Sequence, residues 1–121
     1  MALTILYVED SLLVSSTVKD TFECEGWSVE ICADGASALE RINSETHYDL
    51  FLIDYDLPDI SGLEIIRTIK SLPHRQHIPV VMFTASRFRM EAERAGADRF
   101  LRKPDDMNRL VDSVAGLLWH A

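Results

Sequence analysis

Two cysteines, four prolines and five glycines are all that this 121-residue chain has of the residues that staple, stiffen or break a backbone. Cys24 and Cys32 have no metal-type spacing between them, which excludes a cysteine metal centre. Two isolated thiols instead fit a reduced, cytoplasmic protein in which both act as small buried hydrophobes. No apolar run approaches the length of a membrane span. Met1-Ala2-Leu3-Thr4 lacks the charged region and long apolar stretch of a signal peptide. Positive charge is scarce too, with 12 basic residues against 20 acidic ones and a net charge of −8. Phosphate backbones would repel such a chain, so direct nucleic-acid binding is excluded as its main role. Repeats, linkers and low-complexity segments are missing. One domain over residues 1–121 is expected, with no effector domain attached.

What is present is a 47% apolar share, enough for one core, and a strict alternation of two patterns. Thr4-Ile5-Leu6-Tyr7-Val8 reads as a strand. Ser11 to about Glu25, with Val14, Val18 and Phe22 at four-residue spacing, reads as a helix closed by Gly26. Trp27 to Cys32 alternates more and belongs nearer a sheet edge. Asp34-Gly35 opens a helix bearing Ala36, Leu39 and Ile42. Leu50-Phe51-Leu52-Ile53 is wholly apolar, a strand buried on both faces that ends in Asp54. Leu63, Ile66, Ile69 and Leu72 mark a third helix. Val80 to Phe83 form a fourth strand ending at Thr84, and a short helix runs from about Arg87 to Ala95. Arg99 to Arg102 form a fifth strand ending at Lys103-Pro104. Met107, Leu110, Val111, Val114, Leu117 and Leu118 stripe the last helix. Five strands and five helices in alternation predict an α/β fold, a parallel sheet with helices on both faces.

Four of the five strands end in a residue with chemistry: Glu9-Asp10, Asp54, Thr84 and Lys103. In a parallel sheet these ends share the edge where open α/β sheets bind ligands. Each alone has a plain structural reading: a loop acid, a favourable charge at a helix start, a cap, a solvated tip. Their coincidence on one edge argues for a site. Three close carboxylates repel and raise one another's pKa. A hard divalent cation relieves this, and Mg2+ suits one or two carboxylates, several waters and a phosphate oxygen. Phosphoryl transfer to a carboxylate uses all these parts. Asp54 attacks phosphorus, the metal offsets the repulsion of two anions, and Lys103 and Thr84 hold the remaining oxygens.

At these positions the chain resembles the receiver domain of bacterial two-component response regulators, of the stand-alone chemotaxis-receiver kind. Glu9-Asp10 looks like the family's acidic pair, and Ile53-Asp54-Tyr55-Asp56-Leu57-Pro58-Asp59-Ile60-Ser61-Gly62 like its phosphoacceptor segment. Phe83-Thr84-Ala85 and the stretch from Ala95 through Gly96-Ala97-Asp98 to Lys103-Pro104 resemble its two later motifs, so the likeness covers essentially the whole chain. It implies a flavodoxin-like doubly wound (βα)5 sandwich with strand order 2-1-3-4-5. It implies Asp54 as phosphoacceptor, Asp10 and Asp54 as direct metal ligands, Glu9 acting through water, and the backbone carbonyl of Asp56 completing the protein ligands. The metal is Mg2+, with Mn2+ able to substitute. Thr84 and Lys103 bind the phosphoryl group, and Phe100 is the aromatic switch that turns inward when Thr84 moves. Lys103-Pro104 matches a step that is often cis in the family. The implied partners are a sensor histidine kinase or histidine phosphotransfer protein and an unidentified downstream protein, with no membrane and a monomer or weak dimer. Such a module is a switch, not a metabolic enzyme, and catalyses only its own phosphorylation and dephosphorylation.

Against that family, the stretch from Thr84 to Lys103 is about three residues short, close to one helical turn. The deficit falls in the fourth helix or the loop before it, so the family's usual output and dimer face is expected to be altered. Asp56 and, more weakly, Ser86 are expected to influence the lifetime of the phosphorylated form. Two rivals remain. Asp54-Tyr55-Asp56 resembles the Asp-x-Asp of haloacid dehalogenase phosphatases, and a pseudo-receiver would use the same fold without phosphorylation. His47, His74, His77 and His120 are assigned to the surface, Trp27 and Trp119 to partly buried packing, and Arg87 and Arg89 to a solvated face.

Overall fold

A computed structural model describes residues 2–119. Five strands, β1 (Thr4–Val8), β2 (Ser28–Cys32), β3 (Leu50–Ile53), β4 (Val80–Thr84) and β5 (Arg99–Arg102), alternate with five helices. These are α1 (Leu12–Glu23), α2 (Gly35–Asn43), α3 (Gly62–Ser71), α4 (Arg89–Ala95) and α5 (Leu110–Leu118), the last preceded by a 3-10 turn over Met107–Arg109. The strands are all parallel, in the order β2-β1-β3-β4-β5. The three apolar runs take the middle of the sheet, where both faces are covered. The two strands with polar residues take its edges.

The sheet divides the core into two layers. Leu6, Phe51, Met82 and Phe100 pack with Ile42, Ile66, Ile69 and Ala92 from α2, α3 and α4. Ile5, Leu52, Phe83 and Leu101 pack with Val18 and Phe22 of α1 and with Leu110 and Val114 of α5. Three helices start on side-chain caps: Ser11 accepts from Val14 N–H, Asp34 from Ser37 N–H and Ser61 from Leu63 N–H. Each such cap fixes where a helix leaves the site-bearing edge. No described helix is long and apolar enough to cross a membrane.

Several local expectations need correction. α1 ends at Glu23, two residues early, and Gly26 makes the following turn at φ 82°. Cys24 caps α1 and is exposed, because it falls on the solvent side of that last turn; only Cys32 is buried. In α2 the buried positions are Gly35, Ala38 and Ile42, while Ala36 faces solvent. Trp27 is buried, rather than partly buried, against Phe22. Trp119, 46% exposed with its ring centroid 5.8 Å from that of Trp27, is the partly buried packing residue expected. Arg89 is more than solvated: its guanidinium lies 5.1 Å above the Phe100 ring. α4 has seven residues, the shortest of the five helices among the described residues, and no side-chain cap opens it. His47, His74 and His77 are exposed, and His120 lies outside the described residues.

The sequence reading missed Arg75, a cation only 3% exposed. Its Nε donates to the carbonyl of Ile42 at 3.0 Å, and its Nη2 donates to those of Arg41 and Ser44. These are orphan carbonyls at the end of α2, where a positive charge is favourable. The Tyr48 and Phe51 rings flank the guanidinium at 5.2 and 5.8 Å.

A second long-range tie places the loop after β3. The Asp59 carboxylate accepts from the N–H groups of Gly35 at 2.8 Å and Ala36 at 2.9 Å, in the first turn of α2. Those bonds, Gly35 first, hold the Asp59 carboxyl below the ordinary carboxylate range. A group lowered in this way contributes stability above its unfolded value, about 4. That contribution is lost as pH falls through the lower folded value. Asp59→Asn is therefore expected to be less stable than the parent near neutral pH, with the difference closing as pH falls below about 4. Urea unfolding across that range checks it, and a gap that widens in acid would refute the assignment.

Candidate functional site

β1 and β3 are neighbours, with Val8 opposite Ile53. Glu9, Asp10 and Asp54 therefore leave the sheet side by side. Their carboxylate oxygens lie within 4.8 Å of one another, the one such acidic group found among the described residues. Asp54 is 4% exposed and Glu9 2%, whereas Asp10 is open to solvent. Burial of like charges at this spacing requires compensation.

Lys103 supplies part of it. Its Nζ donates to Asp54 Oδ2 at 3.0 Å and also to Glu9 Oε1, and it lies over the Phe83 ring. The backbone brings it there: Lys103 N–H donates to the carbonyl of Thr84 at 3.0 Å, and Lys103-Pro104 is cis. Glu9 is saturated by protein donors. Tyr7 O–H donates to Oε1 at 3.1 Å, and Ser11 N–H to Oε2 at 3.1 Å. Burial pushes the Glu9 carboxyl up, and the Lys103 hydrogen bond opposes that shift. Burial, then the Glu9 charge, pushes the Tyr7 phenol up, so it stays a donor. Asp10, whose carboxylate has no donor among the described residues, and Asp54 are the freer metal-facing groups.

Around this centre the chain wraps two loops. Asp54 Oδ1 accepts from Asp56 N–H at 3.3 Å. Thr84, fully buried, accepts on its hydroxyl from Ser86 N–H at 3.2 Å. Ser86 O–H in turn donates to Asp56 Oδ2 at 2.6 Å, joining the loops after β3 and β4. The Tyr55 and Phe88 rings stack across the same gap, 4.6 Å between centroids and 24° between planes. Phe100, 4% exposed, lies inside the core layer beneath Arg89, away from the carboxylates.

The structure thus brings Glu9, Asp10, Asp54 and Lys103 together, with Thr84 at the end of the adjacent strand and Phe100 one layer back. The donor set is three hard carboxylates balanced by one ammonium, which fits a divalent cation shared with an incoming phosphoryl group. Two contributors were missed from sequence. Tyr7 was legible in principle, since it stands two residues before Glu9 on one strand face. Tyr55–Phe88 had no local signal, because the pairing depends on two loops meeting.

Comparison with known proteins points the same way. The family model for the response regulator receiver domain matches residues 5–115. The polar-differentiation response regulator DivK of Brucella ovis is 31% identical over the whole of both chains. A CheY-like response regulator receiver domain protein of Methanospirillum hungatei superposes with a TM-score of 0.81, at 27% identity over 94% of each chain. The response regulator TrrA of Thermotoga maritima, solved with Mg2+ and BeF, reaches a TM-score of 0.86. It is 27% identical, over 96% of this chain and 99% of that one.

Proposed function

This chain belongs to the response regulator receiver domain family, and on that premise we propose that Asp54 is its phosphoacceptor. Membership in a signalling family, matched along nearly the whole chain, displaces the phosphatase alternative. The observation that carries the proposal is the approach of three carboxylates to within 4.8 Å, with Lys103 bonded to the central one.

The donor is a phosphohistidine on a sensor kinase or phosphotransfer protein. An Asp54 carboxylate oxygen forms the new O–P bond as the P–N bond breaks, and the imidazole leaves as a base that takes up a proton. Asp10, Asp54 and the Asp56 carbonyl, with Glu9 acting through water, would hold Mg2+ or Mn2+, which when bound neutralises charge between carboxylate and phosphoryl group. Lys103 is already at Asp54 and can follow its charge onto the phosphoryl oxygens. The Thr84 hydroxyl is the donor available from β4 once it turns from Ser86. Thr84 and Phe100 sit on adjacent strands, so a shift of one biases the packing of the other, a two-state element read by a downstream protein. We place the module in the cytoplasm as a single domain over residues 1–121.

The test is labelling by acetyl phosphate with Mg2+, followed by borohydride trapping and peptide mapping. One modified site at Asp54, lost on chelation, is expected. No label at all would favour the pseudo-receiver, and sustained turnover of a phosphate ester would restore the phosphatase.

Asp56 bears on how long the label lasts. Its carboxylate faces Ser86 at the mouth of the site, where it can orient an attacking water. Asp56→Asn is expected to slow dephosphorylation at least about threefold. An unchanged decay rate after removal of excess acetyl phosphate would defeat this.

A further inference from the structure

Three of the four histidines, dispersed in the sequence, line one cavity of about 420 Å3 in the fold. His47 comes from the loop between α2 and β3, and His74 and His77 come from the loop between α3 and β4. Glu45, Asp49 and Arg75 line the cavity with them. It lies where β3 and β4 begin, whereas Asp54 and Thr84 stand where those strands end. Strands of this length hold the two places about 15 Å apart.

Two of the imidazoles are held as metal ligands are held. His47 Nε2 meets Asp49 Oδ1 at 2.9 Å, and His74 Nε2 meets the carbonyl of Ser44 at 3.1 Å. Carboxylate and carbonyl oxygens only accept, so each Nε2 carries a proton. In the neutral ring the lone pair is then on Nδ1, and neither Nδ1 has a partner among the described residues. A carboxylate or carbonyl on the far nitrogen is the usual outer support of a metal-bound histidine. Both supports are themselves fixed. Asp49 Oδ2 accepts from Thr4 N–H at 2.8 Å, and the Ser44 carbonyl also accepts from Arg75. His77 follows His74 within one helical turn, in which Gln76 N–H donates to the Leu72 carbonyl at 2.8 Å.

We propose that His47, His74 and His77 bind one divalent cation of the zinc, nickel and copper class in this cavity, with water or Glu45 completing its ligands. Imidazole nitrogen suits those ions, whereas Mg2+ takes oxygen. The charges favour a cation over an anion. Glu45 and Asp49 outnumber Arg75, whose guanidinium is already committed to carbonyls at the end of α2. Among the described residues no three ligating atoms of the cavity lie within 4.8 Å of one another. The histidines are exposed on two loops, so the ion can draw them together without disturbing the core. Once bound, it ties the α2–β3 loop to the α3–β4 loop and stabilises the folded chain. The inference goes beyond the phosphoacceptor reading and does not rest on it.

Calorimetric titration of the full chain, free of any histidine tag, with Zn2+ in excess Mg2+ tests it. Mg2+ occupies the carboxylate site and leaves this one open. One Zn2+ per chain is expected, together with a higher melting temperature. The double variant His47→Ala, His74→Ala should weaken Zn2+ binding at least about tenfold, and His77→Ala alone a few-fold. Both should melt as the parent does when no Zn2+ is added, since the replaced side chains are exposed. Cys24→Ser, His120→Gln and Asp54→Asn should each bind Zn2+ as the parent does. No saturable binding in excess Mg2+, or parental affinity in either histidine variant, would overturn the proposal. So would loss of binding in any of the last three, which would put the ion on the exposed thiol, the chain end or the carboxylates instead.

Discussion

Asp54→Asn is expected to reduce labelling by acetyl phosphate at least about a thousandfold while leaving the protein folded. The asparagine has the shape of the aspartate. Its amide oxygen can still accept from Asp56 N–H or Lys103, the two donors that hold the native side chain. What it lacks is the anionic oxygen that attacks phosphorus. Stability is expected to stay within about 1 kcal/mol of the parent. The lost pairing with Lys103 is offset by relief of repulsion among Glu9, Asp10 and Asp54, and Lys103 keeps Glu9. The same variant should lose most of the thermal stabilisation that Mg2+ gives the parent, because a ligand stabilises only to the extent that it binds the folded state at the concentration used. Trapping and mapping of the label, with calorimetry with and without Mg2+, give both readings. Persistent label at Asp10 or Asp56 at a comparable rate would move the phosphoacceptor elsewhere.

The architecture and the composition of this site were legible for one physical reason. Parallel strands buried on both faces need continuous apolar runs, and the first residue that breaks each run marks the functional edge. Ile53 to Asp54 and Phe83 to Thr84 are such breaks, and the sheet then sets Asp54 beside Glu9 through the pairing of Val8 with Ile53. Features that depend on surfaces meeting were invisible. Arg75 stands in a polar stretch with Pro73, His74 and His77, and only the tertiary fold delivers it to the end of α2. Asp59 stood only as one member of the phosphoacceptor segment, yet its partners are 24 and 23 positions away. Cys24 was misjudged at the end of α1, where a rotation by one residue changes burial and boundaries are least determined by pattern. The short α4 was visible by length alone, but its consequence, Arg89 over Phe100 and Phe88 on Tyr55, required the packed loops.

Gly62→Ala is expected to be the most damaging single methyl group that can be added near the site. Gly62 opens α3, and its N–H donates to the Tyr55 carbonyl at 2.9 Å, which presses the helix start against the chain leaving Asp54. A Cβ there would sit 2.9 Å from the Asp54 carbonyl carbon, closer still to its oxygen, and 3.0 Å from the Tyr55 Cα. All three are backbone atoms, so no side chain can swing aside. The backbone of Gly62 is not in the left-handed region, so the constraint is one of space. Either α3 lifts from the sheet, exposing Leu63 and Ile66, or the segment carrying Asp54 and Asp56 shifts outward. Overpacking against rigid neighbours costs up to about 3 kcal/mol, which exceeds the gain of about 1 kcal/mol that alanine brings a helix over glycine. A net loss of about 2 kcal/mol is expected, together with slower labelling of Asp54, whose carbonyl is the first atom displaced. Gly116→Ala is the matched control. A Cβ on Gly116, within α5, meets nothing within 4 Å, so the same substitution should stabilise by about 0.5–1 kcal/mol and leave labelling unchanged. Urea unfolding and labelling rates of the two variants should diverge in sign. A Gly62→Ala protein as stable as the parent, or one destabilised but labelled at the parental rate, would show that α3 does not position the phosphoacceptor segment.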